Sequence, residues 1–290
     1  ISTSRTALRQ VAYLLARDGV GVSRATQASL VRKLPKEDKA MGEALEDLQC
    51  DPATEVITLI AQSPPRDSAH MILGQVRTSD KPTVVCFLGS DPRLVWRAGA
   101  IPASRLDEAA MRAAAWVRGW DQALVSSRLE EQKERLLVWV GDLRGHIGYG
   151  RRGLCGLFSS QALYDESQLT LSQNQNRDTA NTTPLLSLVL VESESQKLVH
   201  LRRALSDPDL AVVLVDTVLS APSEPESTDI LATAEKPPLA PLVITHVCGS
   251  AHDLKPATAK EALLRDTGIV VAPSNAAAAY LAKSLIGALP

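Results

Sequence analysis

Two stretches of this chain repeat one pattern of residues. A short apolar run introduced by Asp-Pro begins at Asp51 and recurs at Asp207, 156 residues later (207 minus 51). Similar phrases flank both copies: Thr6-Ala7-Leu8 and Gln161-Ala162-Leu163 upstream, and Lys81-Pro82 and Ala240-Pro241 downstream. Three landmarks in the same order and at nearly the same spacing indicate two copies of one structural module.

Each module is expected to alternate between strands and helices. Continuous apolar runs that end at turn residues are typical of strands buried on both faces, and they occupy 56–61, 83–88, 153–158, 210–219 and 242–247. Segments with helical spacing of apolar residues separate these runs, at 5–17, 67–76, 106–117, 160–169, 197–205, 257–265 and 275–286. This alternation predicts the α/β class, with two tandem doubly wound parallel-sheet domains.

The stretch from Trp120 to Gly150 is charged and rich in glycine, and it shows no clear periodicity. We therefore predict a first domain at 1–125, a linker at 126–150 and a second domain at 151–290. Ile1 is followed at once by polar residues and a helix, whereas a domain of this kind needs a first strand. We accordingly expect the sequence to be part of a longer chain.

Composition narrows the class of protein. Of the 290 residues 45% are hydrophobic and 22% charged, which is typical of a globular protein, and a formal charge of −2 without basic runs argues against nucleic-acid binding. No apolar run approaches the roughly 20 residues that span a bilayer, so we expect no membrane partner. The four cysteines are scattered without metal-ligand spacing, which favours buried thiols, no metal and a cytoplasmic location.

Candidate ligand-binding residues lie where predicted strands lead into helices. In a doubly wound parallel sheet ligands bind beyond the carboxyl ends of the strands, and helix N-termini there favour phosphates and carboxylates. Ser4 and Thr6 begin the first helix, and Ser159 and Ser160 begin its repeat, so these four are the candidate phosphate or anion ligands. Plain helix capping is the alternative, because neither loop has glycines that bring backbone close to a phosphate.

A second candidate is the loop after the strand that ends at residue 247. Gly249, Ser250 and His252 could form a ligand loop with a titrating imidazole, and an ordinary strand-to-helix turn is the alternative. His70 and His246 lie within a predicted helix and strand and are interpreted as structural. No triad, metal motif or Gly-x-Gly-x-x-Gly is recognisable, so the catalytic residues stay unassigned.

Several phrases in both modules resemble one known family. They are 3–10, 51–57, 81–89 and 106–110 in the first module, and 156–163, 207–216, 248–250 and 273–278 in the second. Taken in order, this set resembles the FdrA family, relatives of succinyl-CoA synthetase in which the α and β regions of a CoA ligase are fused.

The resemblance implies two flavodoxin-like, succinyl-CoA ligase-like domains. It also implies acyl-CoA or acyl-phosphate chemistry or, as in oxamate carbamoyltransferase of purine breakdown, transfer from carbamoyl phosphate to oxamate. CoA or carbamoyl phosphate would be the ligand, and a homodimer or a hetero-oligomer with other subunits the assembly. Both chemistries stabilise a transferring phosphate with amide groups at helix N-termini.

The chain departs from the family pattern at its loops. Arg5 and the pair Ser160-Gln161 replace expected glycines, and Arg97 stands where succinyl-CoA synthetases carry a phosphorylated histidine. Family members also have an N-terminal CoA-binding-like domain, and we expect none within these 290 residues. Two functions remain open: a subunit of an acyl-CoA synthetase-like or carbamoyl-transferring complex, and a non-catalytic scaffold with degenerate phosphate loops.

Overall fold

The computed structural model describes residues 1–28, 35–62, 64–172, 186–219, 240–250 and 252–289. The chain divides into two compact units. The first comprises 1–129 with 250–254, and the second comprises 130–249 with 255–290. Most of the polar stretch 172–183 and all of the Pro-rich stretch 221–227, both of which the sequence marks as loops, lie outside the described residues.

The first unit is built around a parallel sheet. Its strands are β1 (Ile57–Gln62), β2 (Thr83–Leu88) and β3 (Ile101–Ala103), and its helices are α1 (Arg5–Arg17), α2 (Pro35–Cys50), α3 (Arg66–Arg77), α4 (Pro92–Arg97) and α5 (Leu106–Val117). The strands pair in the order β1-β2-β3, all parallel. Ser2 adds parallel bridges to Ile60 of β1 and to Gln27. Helix α1 packs on α5, and α2 packs on α3.

Helix α6 (Gln122–Arg144) follows and contains the division between the units. The second unit has strands β4 (Gly153–Phe158), β5 (Leu186–Leu190), β6 (Leu210–Val218), β7 (Leu242–Cys248) and β8 (Val270–Val271). Its helices are α7 (Gln161–Ser172), α8 (Glu194–Leu205), α9 (Leu254–Asp266) and α10 (Asn275–Gly287). The strands are all parallel, in the order β5-β4-β6-β7-β8.

The two sheets share one topology. In the second unit the first strand lies between the second and the third, which is the flavodoxin-like order 2-1-3-4-5. In the first unit Ser2 occupies the same central position, between Gln27 and β1. Ser2 is bridged to Ile60 as Leu157 is paired with Val215, so Ser2 takes the position in its sheet that Leu157 takes in the other. The α/β class and the parallel doubly wound sheets predicted from the repeat are confirmed.

Burial follows the rule for parallel sheets. Every residue of β2 and of β4 is buried, as expected of strands that are covered on both faces. In the first unit the sheet packs with α2 and α3 around a hydrophobic cluster that includes Met41, Ala61 and Phe87. This burial explains why the strands read as continuous apolar runs.

Three local features go beyond the sequence-based expectations. The predicted linker at 126–150 is largely occupied by α6, a 23-residue helix whose apolar positions are too evenly distributed to show a periodic face. Arg105, rather than the hydroxyl-bearing Ser104 that precedes it, takes the N-cap position of α5, and the amide of Ser104 donates to Glu108. The short elements α4 and β3 were not predicted, since each has few residues to form a pattern.

Candidate functional site

In the first unit, the predicted anion ligands lie at the start of α1. Ser4 is the N-cap, and its Oγ accepts a hydrogen bond from the amide of Ala7 at 3.3 Å. The amide of Ser4 in turn donates to Oγ of the fully buried Ser2 at 3.0 Å. Thr6 lies in the first turn of α1. Local hydroxyls therefore already satisfy part of this helix terminus.

At the start of the second unit, the equivalent serine is held by a carboxylate. Ser159 follows β4 and its side chain is exposed, whereas Ser160 is buried. The amide of Ser159 donates to Asp216, with N to Oδ2 at 2.9 Å, and its hydroxyl lies 3.1 Å from Oδ2 and 3.2 Å from Oδ1. Asp216 lies on β6, next to β4, and is fully buried. Both donors of Ser159 thus point towards one buried carboxylate.

Lys197 of α8 neutralises this carboxylate. Its Nζ lies 2.5 Å from Oδ1 of Asp216 and 3.5 Å from Oγ of Ser159, although only 2% of the residue is exposed. Glu194, one turn earlier, places Oε1 3.9 Å from the same Nζ. A buried charge is tolerated when it is paired and hydrogen-bonded, and both conditions hold here. We call Ser159, Asp216 and Lys197 the Ser-Asp-Lys cluster.

His246 lies on β7 opposite Asp216, so both side chains project from the same face of the sheet. It is 1% exposed, and neither ring nitrogen has a hydrogen-bond partner in the part of the chain that the structure describes. Burial lowers the pKa of the imidazole to about 4, against a smaller opposing effect of Asp216. His246 is therefore neutral at physiological pH, in agreement with its interpretation as a packed residue.

The second predicted loop has the local structure of a turn. Gly249 is buried, and the amide of Ser250 donates to the carboxylate of Asp253 at 2.6 Å. The amide of Asp253 donates back to the carbonyl of Ser250, and His252 is exposed between them. His70 is exposed on α3. A ligand role for Gly249, Ser250 and His252 stays a prediction.

The geometry defines what the Ser-Asp-Lys cluster can do chemically. The hydroxyl of Ser159 donates to Asp216, so the lone pairs of its Oγ are directed away from the carboxylate. The side chain is also exposed. The following residues begin α7, whose first-turn amides have no partners within the helix. The carboxyl ends of β4 and β6 thus bring together the Ser159 hydroxyl, the Asp216 carboxylate, the Lys197 ammonium group and the N-terminus of α7.

Ser159 was a candidate anion ligand from its place after a strand, whereas Asp216 and Lys197, which contact it, were not among the candidates. Asp216 falls near the end of an otherwise apolar run, and Lys197 is the first residue of a predicted helix. A charged residue in a strand predicted to be buried requires a counter-charge, and that requirement was the available signal. The identity of the partner depends on how α8 packs against β4 and β6, which no local pattern specifies.

Part of the second unit is similar to CoA ligases. Residues 165–285, which run from α7 to α10, match the family model described as CoA-ligase. Over 280 residues the chain is 24% identical to the protein named "Uncharacterized protein YahF" of Escherichia coli strain K12, covering 85% of this chain and 53% of that protein. The chain therefore spans about half the length of this curated relative.

Three solved structures align with most of the chain, with low sequence identity and low TM-scores. A protein from Pyrococcus horikoshii covers 93% of this chain and 59% of its own, with 12% identity and a TM-score of 0.35. A hypothetical protein from Thermus thermophilus covers 97% and 75%, with 15% identity and a TM-score of 0.36. A dinucleotide-forming acetyl-coenzyme A synthetase of Ca. Korarchaeum cryptofilum, in complex with phosphate and ADP, covers 86% and 56%, with 15% identity and a TM-score of 0.31.

Three further observations bear on the sequence-based expectations. Within the described ranges, no group of three or more His, Cys, Asp or Glu side chains is arranged to hold a metal ion. All four cysteines are free thiols; Cys50 is exposed, and the other three are buried. Among the helices that the structure describes, none has both the length and the apolar character needed to cross a bilayer.

Proposed function

We infer that the chain is a subunit of an FdrA-type complex with acyl-CoA synthetase-like or carbamoyl-transferring activity, acting on an acyl or carbamoyl phosphate. Two facts support this function: residues 165–285 match the CoA-ligase family model, and the Ser-Asp-Lys cluster lies beside the start of α7. An anionic phosphate or carboxylate would bind at Ser159 and Ser160, and at Ser4 and Thr6 in the first unit. Assembly with further subunits, as a homodimer or hetero-oligomer, belongs to this proposal.

Isothermal titration with carbamoyl phosphate, oxamate, inorganic phosphate and CoA tests the binding. We expect heat from at least one of the four, and none from oxamide, which has the shape of oxamate without its charge. No binding of any of the four would reject the function.

A charge introduced at the helix start tests the place of binding. Gln161 is exposed and is the first residue of α7. Gln161→Glu puts a negative charge where the anion would lie, and it should weaken binding about tenfold, which corresponds to about 1.4 kcal/mol. Gln168→Glu, at an exposed position further along the same helix, is the matched control and should bind as the natural chain does. Equal binding by all three proteins would place the anion elsewhere.

A non-catalytic scaffold is the second candidate function. The bonds from Ser4 to Ser2 and from Ala7 to Ser4 favour it, because they occupy the start of α1 without any ligand. Purification of the complex from its native source distinguishes the candidates. A stable partner that retains all measurable activity after separation from this chain would support the scaffold.

A further inference from the structure

We propose that Ser159 is a covalent acyl acceptor, with Asp216 as its general base and Lys197 as a positioning residue. This inference rests on the proposed function, since an acyl phosphate is the donor. Three observations support it: an exposed hydroxyl hydrogen-bonded to a buried carboxylate, an ion pair that fixes that carboxylate, and an unpartnered buried imidazole on the neighbouring strand within the described ranges. Together they distinguish this place from an ordinary capped helix.

The orientation of Ser159 is suited to nucleophilic attack. Activation of a serine requires a base within hydrogen-bond reach of its hydroxyl, and Oγ lies 3.1 Å from Oδ2 of Asp216. The Nζ of Lys197 lies 2.5 Å from Oδ1 of Asp216 and 3.5 Å from Oγ, and it holds the carboxylate in place beside the hydroxyl. Because Ser159 also donates its amide to Asp216, the main chain is fixed at the same place.

The acyl phosphate is the only reactant that the transfer to Ser159 requires. The Oγ of Ser159 attacks the carbonyl carbon of the acyl phosphate, and the new Oγ–C bond forms as the bond from that carbon to the bridging oxygen breaks. Inorganic phosphate leaves, towards the first-turn amides of α7, which favour an anion. The hydroxyl proton passes to Asp216 and then to the departing phosphate. An ester of Ser159 remains, from which an acceptor nucleophile can take the acyl group.

The equivalent residues of the first unit cannot carry out this step. Ala61 occupies the position of Asp216, because Ile60 pairs with Ser2 as Val215 pairs with Leu157. The position of Lys197 is taken by Met41, which lies the same number of residues before the repeated Asp-Pro. Ser4 has neither a buried base nor an ammonium group at these positions, so we restrict the covalent step to the second unit.

Mass spectrometry of the full chain after incubation with acetyl phosphate tests the proposal. We expect one acetyl group on the peptide that contains Ser159, and removal of that group by hydroxylamine, which cleaves esters and leaves acetylated lysines intact. Ser159→Ala should abolish the hydroxylamine-sensitive adduct. Ser172→Ala, at an exposed serine at the other end of α7, should leave it unchanged. Absence of this ester would overturn the covalent step, whereas the titrations with carbamoyl phosphate, oxamate, inorganic phosphate and CoA decide the proposed function separately.

A second set of variants separates chemistry from folding. The double variant Lys197→Met with Asp216→Ala copies the pair found in the first unit and should slow ester formation by about 10²- to 10⁴-fold, as expected for loss of a general base. Adding Ser159→Cys to it should restore acylation, as a thioester, because a thiol ionises near pH 8.5 without a base. A purely structural role of the pair would not be rescued in this way. Failure of the rescue in a folded protein would remove Asp216 from the role of base.

Discussion

The two units share a topology but differ in the side chains at equivalent positions, which are polar or charged in the second unit and mostly apolar in the first. In the second unit Ser159, Asp216, Lys197 and His246 gather at the carboxyl ends of β4, β6 and β7. The equivalent residues of the first unit are Ser4, Ala61, Met41 and Phe87, of which the last three belong to one hydrophobic cluster. Apolar side chains therefore suffice for the fold. A buried ion pair is often no more stable than an apolar replacement, which favours a functional reason for keeping it.

The largest effect on stability is expected when one partner of the buried ion pair in the second unit is removed. Lys197→Met leaves Asp216 as an uncompensated buried charge, and it should lower the free energy of unfolding of the second unit by about 3–5 kcal/mol. Adding Asp216→Ala should recover most of this loss, because it recreates the apolar pair of the first unit. Hydrogen exchange of the β4 and β6 amides measures both. Equal protection in the single and double variants would show that the pair is not energetically coupled.

The second largest effect is expected on the pH dependence of stability, which His246 gives to the second unit and Phe87 cannot give to the first. The pKa of His246 is lowered to about 4, whereas a histidine in the unfolded chain titrates near 6.5. Below pH 6.5 the unfolded state therefore binds the proton more readily, so the contribution of His246 is full above pH 6.5 and is lost as pH falls towards 4. The loss amounts to roughly 3 kcal/mol. His246→Phe, which copies Phe87, should flatten the pH dependence of exchange in β7. An unchanged slope would contradict the assignment.

The smallest effect concerns an unsatisfied polar side chain in the interior of the first unit. Gln10 of α1 is 1% exposed, and neither atom of its amide group has a partner in the described ranges. Gln10→Met keeps the length of the side chain and removes the unsatisfied groups, so it should stabilise the first unit by about 1–2 kcal/mol. Thermal unfolding followed by tryptophan fluorescence measures the change, because three of the four tryptophans, Trp96, Trp116 and Trp120, lie in the first unit. A lower melting temperature would mean that the amide is satisfied in solution.

The fold was largely predictable because its signals are local or repeated. The continuous apolar runs gave β2 and β4 with their observed bounds, and the repeated Asp-Pro indicated the shared topology. Helix α6 escaped prediction because its apolar residues lie on no single face. The candidate site was predictable only in part. Ser159 follows from its place after a strand, whereas its contacts with Asp216 and Lys197 join residues 57 and 38 positions apart, which only the packed sheet brings together.

The parallel pairing of both sheets has a consequence for the order of folding. No two neighbouring strands of a described sheet are joined by a hairpin, since each pairing is parallel and must span an intervening segment. The central strand β4 pairs with β5, which begins at residue 186, and with β6, which begins at residue 210. Loop closure must precede such contacts, which makes them slow to form. Helices such as α7 and α8 are therefore expected to form in microseconds, well before the strand order is established.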